Sequence, residues 1–372
     1  NNYVLVQSAA DFPAPVSGII TLAAGTTYEV NGSIVLTSKI NLNGCYLVGM
    51  DVNNDKLIYT PGSGELFTGT KGGTVKTLTL VANTTGSKLF NVDMGATENL
   101  IVRDAIIASC KDVGLVKGGY IVFFSVINYA GNTSGITYEN NSNLFLDNTA
   151  WFPTNAGTFE KLVGTFGVIE KLGGFTHPMS ASSGVGFDVS GITSITDAGN
   201  LKNTAFLGTG TRINGSFSGK WEVESPGIAT EKDDVATGNL YLTSSATTTF
   251  SASNTATKVL GTTTGVGLFR VSSSASNRLV YDGIKTRRFS VVASVSVTSQ
   301  SANKYFSFYI YKNGVKLPES EQAMRLSTGV DKGSLTITCT VQLSTNDYVE
   351  IWAANTSDAS SMTVETMNLT IK

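Results

Sequence analysis

Thr77-Leu78-Thr79-Leu80-Val81, Asn99-Leu100-Ile101-Val102, Tyr120-Ile121-Val122-Phe123-Phe124 and Asn143-Leu144-Phe145-Leu146 are short apolar runs within one stretch, 72–221. Glycine, asparagine, serine and threonine cut each of them off. The rhythm continues through Gly167-Val168-Ile169, 192–195 and Thr204-Ala205-Phe206-Leu207. The runs return roughly every 20–28 residues, which is the spacing of stacked structural repeats. None of them is long enough, or periodic enough at 3.6 residues, to read as a helix. A β-solenoid fits: each coil supplies short strands and buries its apolar side only by stacking on the coil before it. The stretch therefore predicts a right-handed parallel β-helix as the shaft of an all-β chain.

Outward from this shaft, 1–71 reads as an N-terminal cap with the first coils. Asp11-Phe12-Pro13-Ala14-Pro15 is rich in turn formers, and Asn31-Gly32 is a tight-turn dipeptide between two strand-like runs. A first coil needs such a cap, because a bare sheet edge invites pairing with another chain. Trp151-Phe152-Pro153 and Gly173-Gly174-Phe175-Thr176-His177-Pro178 read either as projecting loops or as larger coil turns. On the other side, 222–238 gathers Glu222, Glu224, Glu231, Lys232, Asp233 and Asp234 around Pro226-Gly227, and reads as a charged linker.

Beyond it, 239–372 changes period. Phe289, Val291, Ala293, Val295 and Val297 alternate with smaller or polar residues, as do Phe306, Phe308 and Ile310, and Leu335, Ile337, Cys339, Val341 and Leu343. Alternation of period two marks antiparallel strands with one buried face. Asn313-Gly314 predicts a hairpin. The expectation is a sandwich or jelly roll. If Val349, Ile351 and Ala353 point inward, Tyr348 and Trp352 point outward together with Tyr305, Tyr309 and Tyr311. Tyr309, Tyr311, Tyr348 and Trp352 are therefore the expected interface with a partner subunit, since such a patch calls for one.

Composition narrows the chemistry. Of 372 residues only 15% are charged, the net charge is −2 and the sequence contains a single histidine, His177. No basic patch is present for nucleic acid, and no apolar run reaches the roughly 18 residues of a membrane span. Cys45, Cys110 and Cys339 are far apart and follow no metal or disulfide spacing. No cofactor or metal site is expected; Asn355, Ser357 and Asp358 read as a plain loop. His177 lies in a glycine-rich loop, so no Ser-His-Asp arrangement can be drawn. The chemistry left open is glycan cleavage by paired carboxylates. Asp104, Asp147, Glu160, Glu170 and Asp188 lie in the shaft, with Asp147, Glu160 and Glu170 as the catalytic candidates. Arg103 and Arg212 are the only arginines between residues 72 and 221, so a sugar-cleft lining is not legible around them, and the balance falls against an enzyme.

Two resemblances add to this. The phrase "DFPAPVSGIITLAAGTTYEVNGSIVL", 11–36, resembles the opening of β-helical regions in bacteriophage tail and fibre proteins. From Phe289 onward, "FSVVASVSV", "FSFYIYKNGVKL", "LSTNDYVEIWAAN" and "MTVETMNLTI" resemble the trimeric C1q/TNF-like jelly roll, with Asn346-Asp347 where that family has Gly-Asp. These resemblances imply a phage or prophage fibre or spike on the virion, acting outside the cell. Its expected partners are two further copies of itself, a host-surface glycan or protein contacted by the head, and other virion proteins. The alternatives are a virion structural protein with no receptor role, and a polysaccharide depolymerase.

Overall fold

In the computed structural model the described residues are 2–179, 184–217, 220–228, 235–283 and 285–372. Among them the chain is all-β, with two three-residue 3-10 turns as its only helical segments. It divides into two compact units, Asn1–Thr230 and Glu231–Lys372. Glu231, Lys232, Asp233 and Asp234 lie outside the described residues.

The first unit is a parallel β-solenoid of about nine turns with three faces. Face one begins with Tyr3–Val6, Thr27–Val30, Tyr46–Gly49 and Gly73–Lys76, each pairing in parallel with the next. It continues through 99–103, 121–125, 143–147, 168–172 and 198–202 to Trp221–Glu224. Coils differ in length, from 19 residues at Thr27↔Tyr46 to 30 at Val168↔Ala198. Strands around 33–36, 56–59, 79–82, 105–108 and 127–130 stack as face two. Face three runs through 87–94, 114–118, 136–139, 158–163 and 185–192. Glu222 and Glu224, which the charge pattern assigned to a linker, belong to the last strand of face one.

The corner between faces one and two explains why several strands run across two faces. Register places Thr77, Asp104, Val126, Asn148, Gly173 and Asn203 one above another. All six hold positive φ, between 50° and 65°. One left-handed residue turns the chain sharply without ending the strand, which is why asparagine, aspartate and glycine recur there. Thr77 and Val126 are the exceptions, β-branched residues at φ 56° and 55°, and Val126 has no polar group to bond locally.

The lumen is filled by rings and aliphatic side chains that stack coil on coil. Phe67 stacks on Phe90 at 5.2 Å, Phe90 meets Phe124 edge-on, and Trp151 stacks on Phe159 at 4.7 Å. Trp151 is fully buried, so its stretch is a coil turn rather than a projecting loop. Inside the next corner an asparagine ladder replaces apolar packing. Asn155 Oδ1 accepts from the Asn132 backbone N–H at 2.9 Å, and Asn132 Oδ1 accepts from the Cys110 N–H at 2.8 Å. Buried backbone groups that no strand partner reaches are satisfied this way.

The second unit packs two antiparallel sheets around one core. One sheet is ordered Thr262–Phe269, Thr237–Ser244, Met362–Ile371, Arg287–Ser299, Lys332–Leu343; the other Val271–Ser272, Leu279–Tyr281, Tyr348–Asn355, Lys304–Lys312, Val315–Lys316. The first long strand pairs with the last, Leu240↔Leu369, which closes the unit on itself. Phe289, Val291, Ala293, Val295 and Val297 point inward together with Phe306, Phe308, Ile310, Val349, Ile351 and Ala353, as the alternation predicts. Asn313 and Gly314, at φ 49° and 77°, form the two-residue hairpin turn between Lys312 and Val315.

Candidate functional site

The carboxylates singled out in the sequence are not brought together. Glu160 lies inside the solenoid, in the inward column Phe90–Gly114–Ile136–Glu160–Phe187. It is fully buried and sits 2.6 Å from the ammonium of Lys171, which is equally buried. Burial first, then the nearby Glu160 carboxylate, holds the phenol of Tyr129 well above its ordinary range. Glu160 has no access to an external substrate. Its phase with buried Leu162 is the sequence signal that marks it as inward. Asp188 is buried too, and its Oδ1 accepts from the Ser190 backbone and hydroxyl. Asp104 occupies the left-handed corner and pairs with Arg103 at 3.0 Å.

Asp147 and Glu170 remain on the outside of face one, in adjacent coils. Register sets Phe145 beside Glu170 and Asp147 beside Leu172. The two acids are therefore one strand and two residues apart, about 8 Å between Cα atoms from strand spacing and rise. Ser125 and Asn148 donate to Asp147 at 3.2 and 3.1 Å. Neither acid lines either of the two grooves described next.

A groove of about 530 Å³ lies where face three turns into face one. Tyr120 forms one wall and Asp197 the other; Asn140, Ser142, Asn143 and Thr165 lie between them. Each is placed by the stacking of coils. The side-chain amide of Asn143 donates to the Tyr120 carbonyl at 2.9 Å, and the Ser142 N–H donates to the Gly119 carbonyl. These bonds fix the backbone beneath a tyrosine ring that stays 53% exposed. Asn140 Oδ1 accepts from the Thr165 N–H at 2.9 Å. That contact needs Gly164, because a Cβ there would stand 2.0 Å from the same oxygen. On the far wall Thr196 Oγ1 donates to Asp197 at 3.3 Å. The groove thus joins one exposed aromatic plane to amides, hydroxyls and a carboxylate that face water. The sequence reading missed it because its residues come from four successive coils and are ordinary turn formers one by one.

A second groove, of about 440 Å³, lies on face three and is walled by Lys88, Asp112, Glu139 and Lys161. Three of these four charges are matched: Lys88 pairs with Asp112 at 3.5 Å, and Lys117, outside the groove, reaches Glu139 at 4.0 Å.

On the second unit, the outward face of Tyr348–Asn355 holds a compact cluster. The rings of Tyr311 and Trp352 stack at 4.4 Å, and Tyr311 meets Tyr309 edge-on. Lys316 lies over Tyr309, and the Arg278 guanidinium over Tyr348. Glu350 is buried among them and accepts from Lys258, Arg278 and the Trp352 indole at 2.6, 2.8 and 3.0 Å. Burial pushes the Glu350 carboxyl up, but hydrogen bonds from Lys258, Trp352 and Arg278 outweigh it and hold the group below the usual glutamate range. Tyr309 is buried and Tyr311, Tyr348 and Trp352 are half-buried, so the alternation overstates their exposure; cations of the same chain cover part of the cluster.

The thiols are unreactive by environment: burial pushes Cys45 and Cys110 up to about 12 and Cys339 up to about 11. Among the described residues no three His, Cys, Asp or Glu side chains gather as a metal site. Lys304 occupies Asp358 at 2.5 Å in the loop that offered oxygen ligands.

Comparison with known proteins gives little to set beside this geometry. No family model matches the chain, and no curated protein matches it. A solved structure to which it is similar is the enzymatically active domain of bacteriophage CBA120 tailspike protein 4. The alignment has 9% identity, covers 95% of this chain and 68% of that one, and has a TM-score of 0.22.

Proposed function

We propose that this chain is a fibre or spike protein of a bacteriophage or prophage that binds a host-surface glycan and works as a homotrimer on the virion. The observation that carries the reading is the Tyr120 groove. Sugars present an apolar C–H face and a rim of hydroxyls. An exposed ring with amides, hydroxyls and a carboxylate around it complements both. The reading puts the receptor contact on the solenoid instead of the head. The head then serves as the trimerising module, supported by its two antiparallel sheets, its Asn313-Gly314 hairpin and its likeness to the C1q/TNF-like jelly roll. Three linked grooves multiply a weak contact when the target is repetitive. Further virion proteins would hold the fibre on the particle.

The test is retention of the purified protein on surface polysaccharides from candidate bacterial hosts, with released reducing ends followed in the same samples. Tyr120→Ala is expected to weaken retention about tenfold, close to 1.4 kcal/mol, with the fold intact. Unchanged retention by Tyr120→Ala and by Asn143→Ala would remove the groove from the account. A depolymerase is the second reading, favoured by the placement of Asp147 and Glu170 on the outer side of one face in adjacent coils. It requires reducing ends to appear, and to disappear in Asp147→Asn and Glu170→Gln.

A further inference from the structure

The Glu160–Lys171 contact is built unlike an ordinary ion pair. Both side chains are fully buried in the solenoid lumen, with Nζ 2.6 Å from Oε2. The rings of Phe159 and Phe187 flank Nζ at 5.1 and 5.6 Å. Oε2 is nevertheless without a hydrogen bond of proper geometry, so the nitrogen approaches it out of line. Thr149 holds both partners: its hydroxyl donates to Glu160 Oε1 at 3.0 Å and accepts from Lys171 Nζ at 3.1 Å. A buried ion pair repays its desolvation only when geometry is good and the remaining lone pairs are satisfied. Here they are not.

We propose that Glu160 and Lys171 react to form an intramolecular amide bond. A proton passes from Nζ to the carboxylate, which leaves a neutral amine against a neutral acid. The Nζ lone pair attacks Cδ while the Thr149 hydroxyl, bonded to Oε1, stabilises the charge that gathers on that oxygen. The Cδ–Oε2 bond then breaks, and Oε2 departs as water with two protons that began on Nζ. Nothing is oxidised or reduced and no co-reactant is needed. Enforced contact supplies the rate, since a fixed pair reacts as if at very high concentration. Both residues belong to the strand Thr158–Leu172, Glu160 on face three and Lys171 on face one. The amide would rivet the corner between those faces from within. This inference stands apart from the glycan reading.

The experiment is the intact mass of the denatured full-length chain, followed by trypsin digestion. The expected mass is one water below that of the sequence. Trypsin should then fail after Lys171 and release 118–161 joined to 162–202. Lys171→Arg keeps the charge and cannot form the bond, so it is expected at its own sequence mass. Wild-type protein at the full sequence mass, with peptide 162–171 recovered free, overturns the proposal. So does a Lys171→Arg variant that is also one water light.

Discussion

Val126 turns a corner that its five counterparts turn with threonine, aspartate, asparagine or glycine. Its side chain is 48% exposed, so it pays the cost of a left-handed β-branched residue without repayment from packing. That cost is about 1–2 kcal/mol for an L-residue. Val126→Asn is therefore expected to stabilise the solenoid by about 1 kcal/mol, and Asn148→Val, one coil on, to destabilise it by a similar amount. Thermal unfolding followed by circular dichroism checks both, and a loss of stability in Val126→Asn would refute the account of the corner. At this scale the sequence was partly legible. Glu160 and Lys171 sit in phase with Leu162 and Ile169, so alternation alone points them inward. What alternation does not reveal is that one strand, bent across two faces, brings them to each other, because that depends on how many residues the corner consumes.

At the scale of the element, the strand Tyr348–Asn355 shows how one face can be read and the other not. Val349, Ile351 and Ala353 lie in the core as their alternation requires. The opposite face reads as exposed aromatics, yet it carries a carboxylate buried by groups from three other segments, whose approach no local pattern encodes. Because hydrogen bonds hold Glu350 below its ordinary value of 4.5, its contribution favours the folded state. That contribution is complete above pH about 4.5 and is lost as pH falls through the lower folded value. The melting temperature of the second unit should fall across that acid range, and Glu350→Gln should flatten the slope. At neutral pH the same substitution should cost on the order of 2 kcal/mol, since it leaves Lys258 and Arg278 without their counter-charge. A slope that Glu350→Gln leaves unchanged would assign the acid sensitivity elsewhere.

For the whole molecule, the proposed division of labour, a glycan-binding solenoid and a trimerising second unit, has separable consequences. Replacing Tyr348 and Trp352 with serine should convert trimers to monomers in light scattering; trimers that persist would exclude this face as the interface. Removing 231–372 should leave a solenoid whose single groove binds with unchanged intrinsic affinity. Its retention on a dense polysaccharide surface should fall by a factor on the order of a hundred or more, the gain expected from linked sites. Retention equal to that of the intact chain would mean that the second unit adds no valency. The two-part architecture was legible from the sequence because the two periods, one of twenty-odd residues and one of two, are both properties of the chain itself. The groove was not, because it exists only once coils are stacked.

The middle coils are interchangeable in length. Asn99 pairs with Ile121, and Ile121 with Asn143, at equal intervals of 22 residues. Their corner residues Asp104, Val126 and Asn148 fall into one column. Excising one such interval would remove a single layer, about 4.8 Å of axis, and let the flanking coils close over the gap in register. Reach then becomes a quantity that changes in whole steps. A lineage of such solenoids could lengthen or shorten by unequal recombination between neighbouring coils, without redesigning the coils that remain.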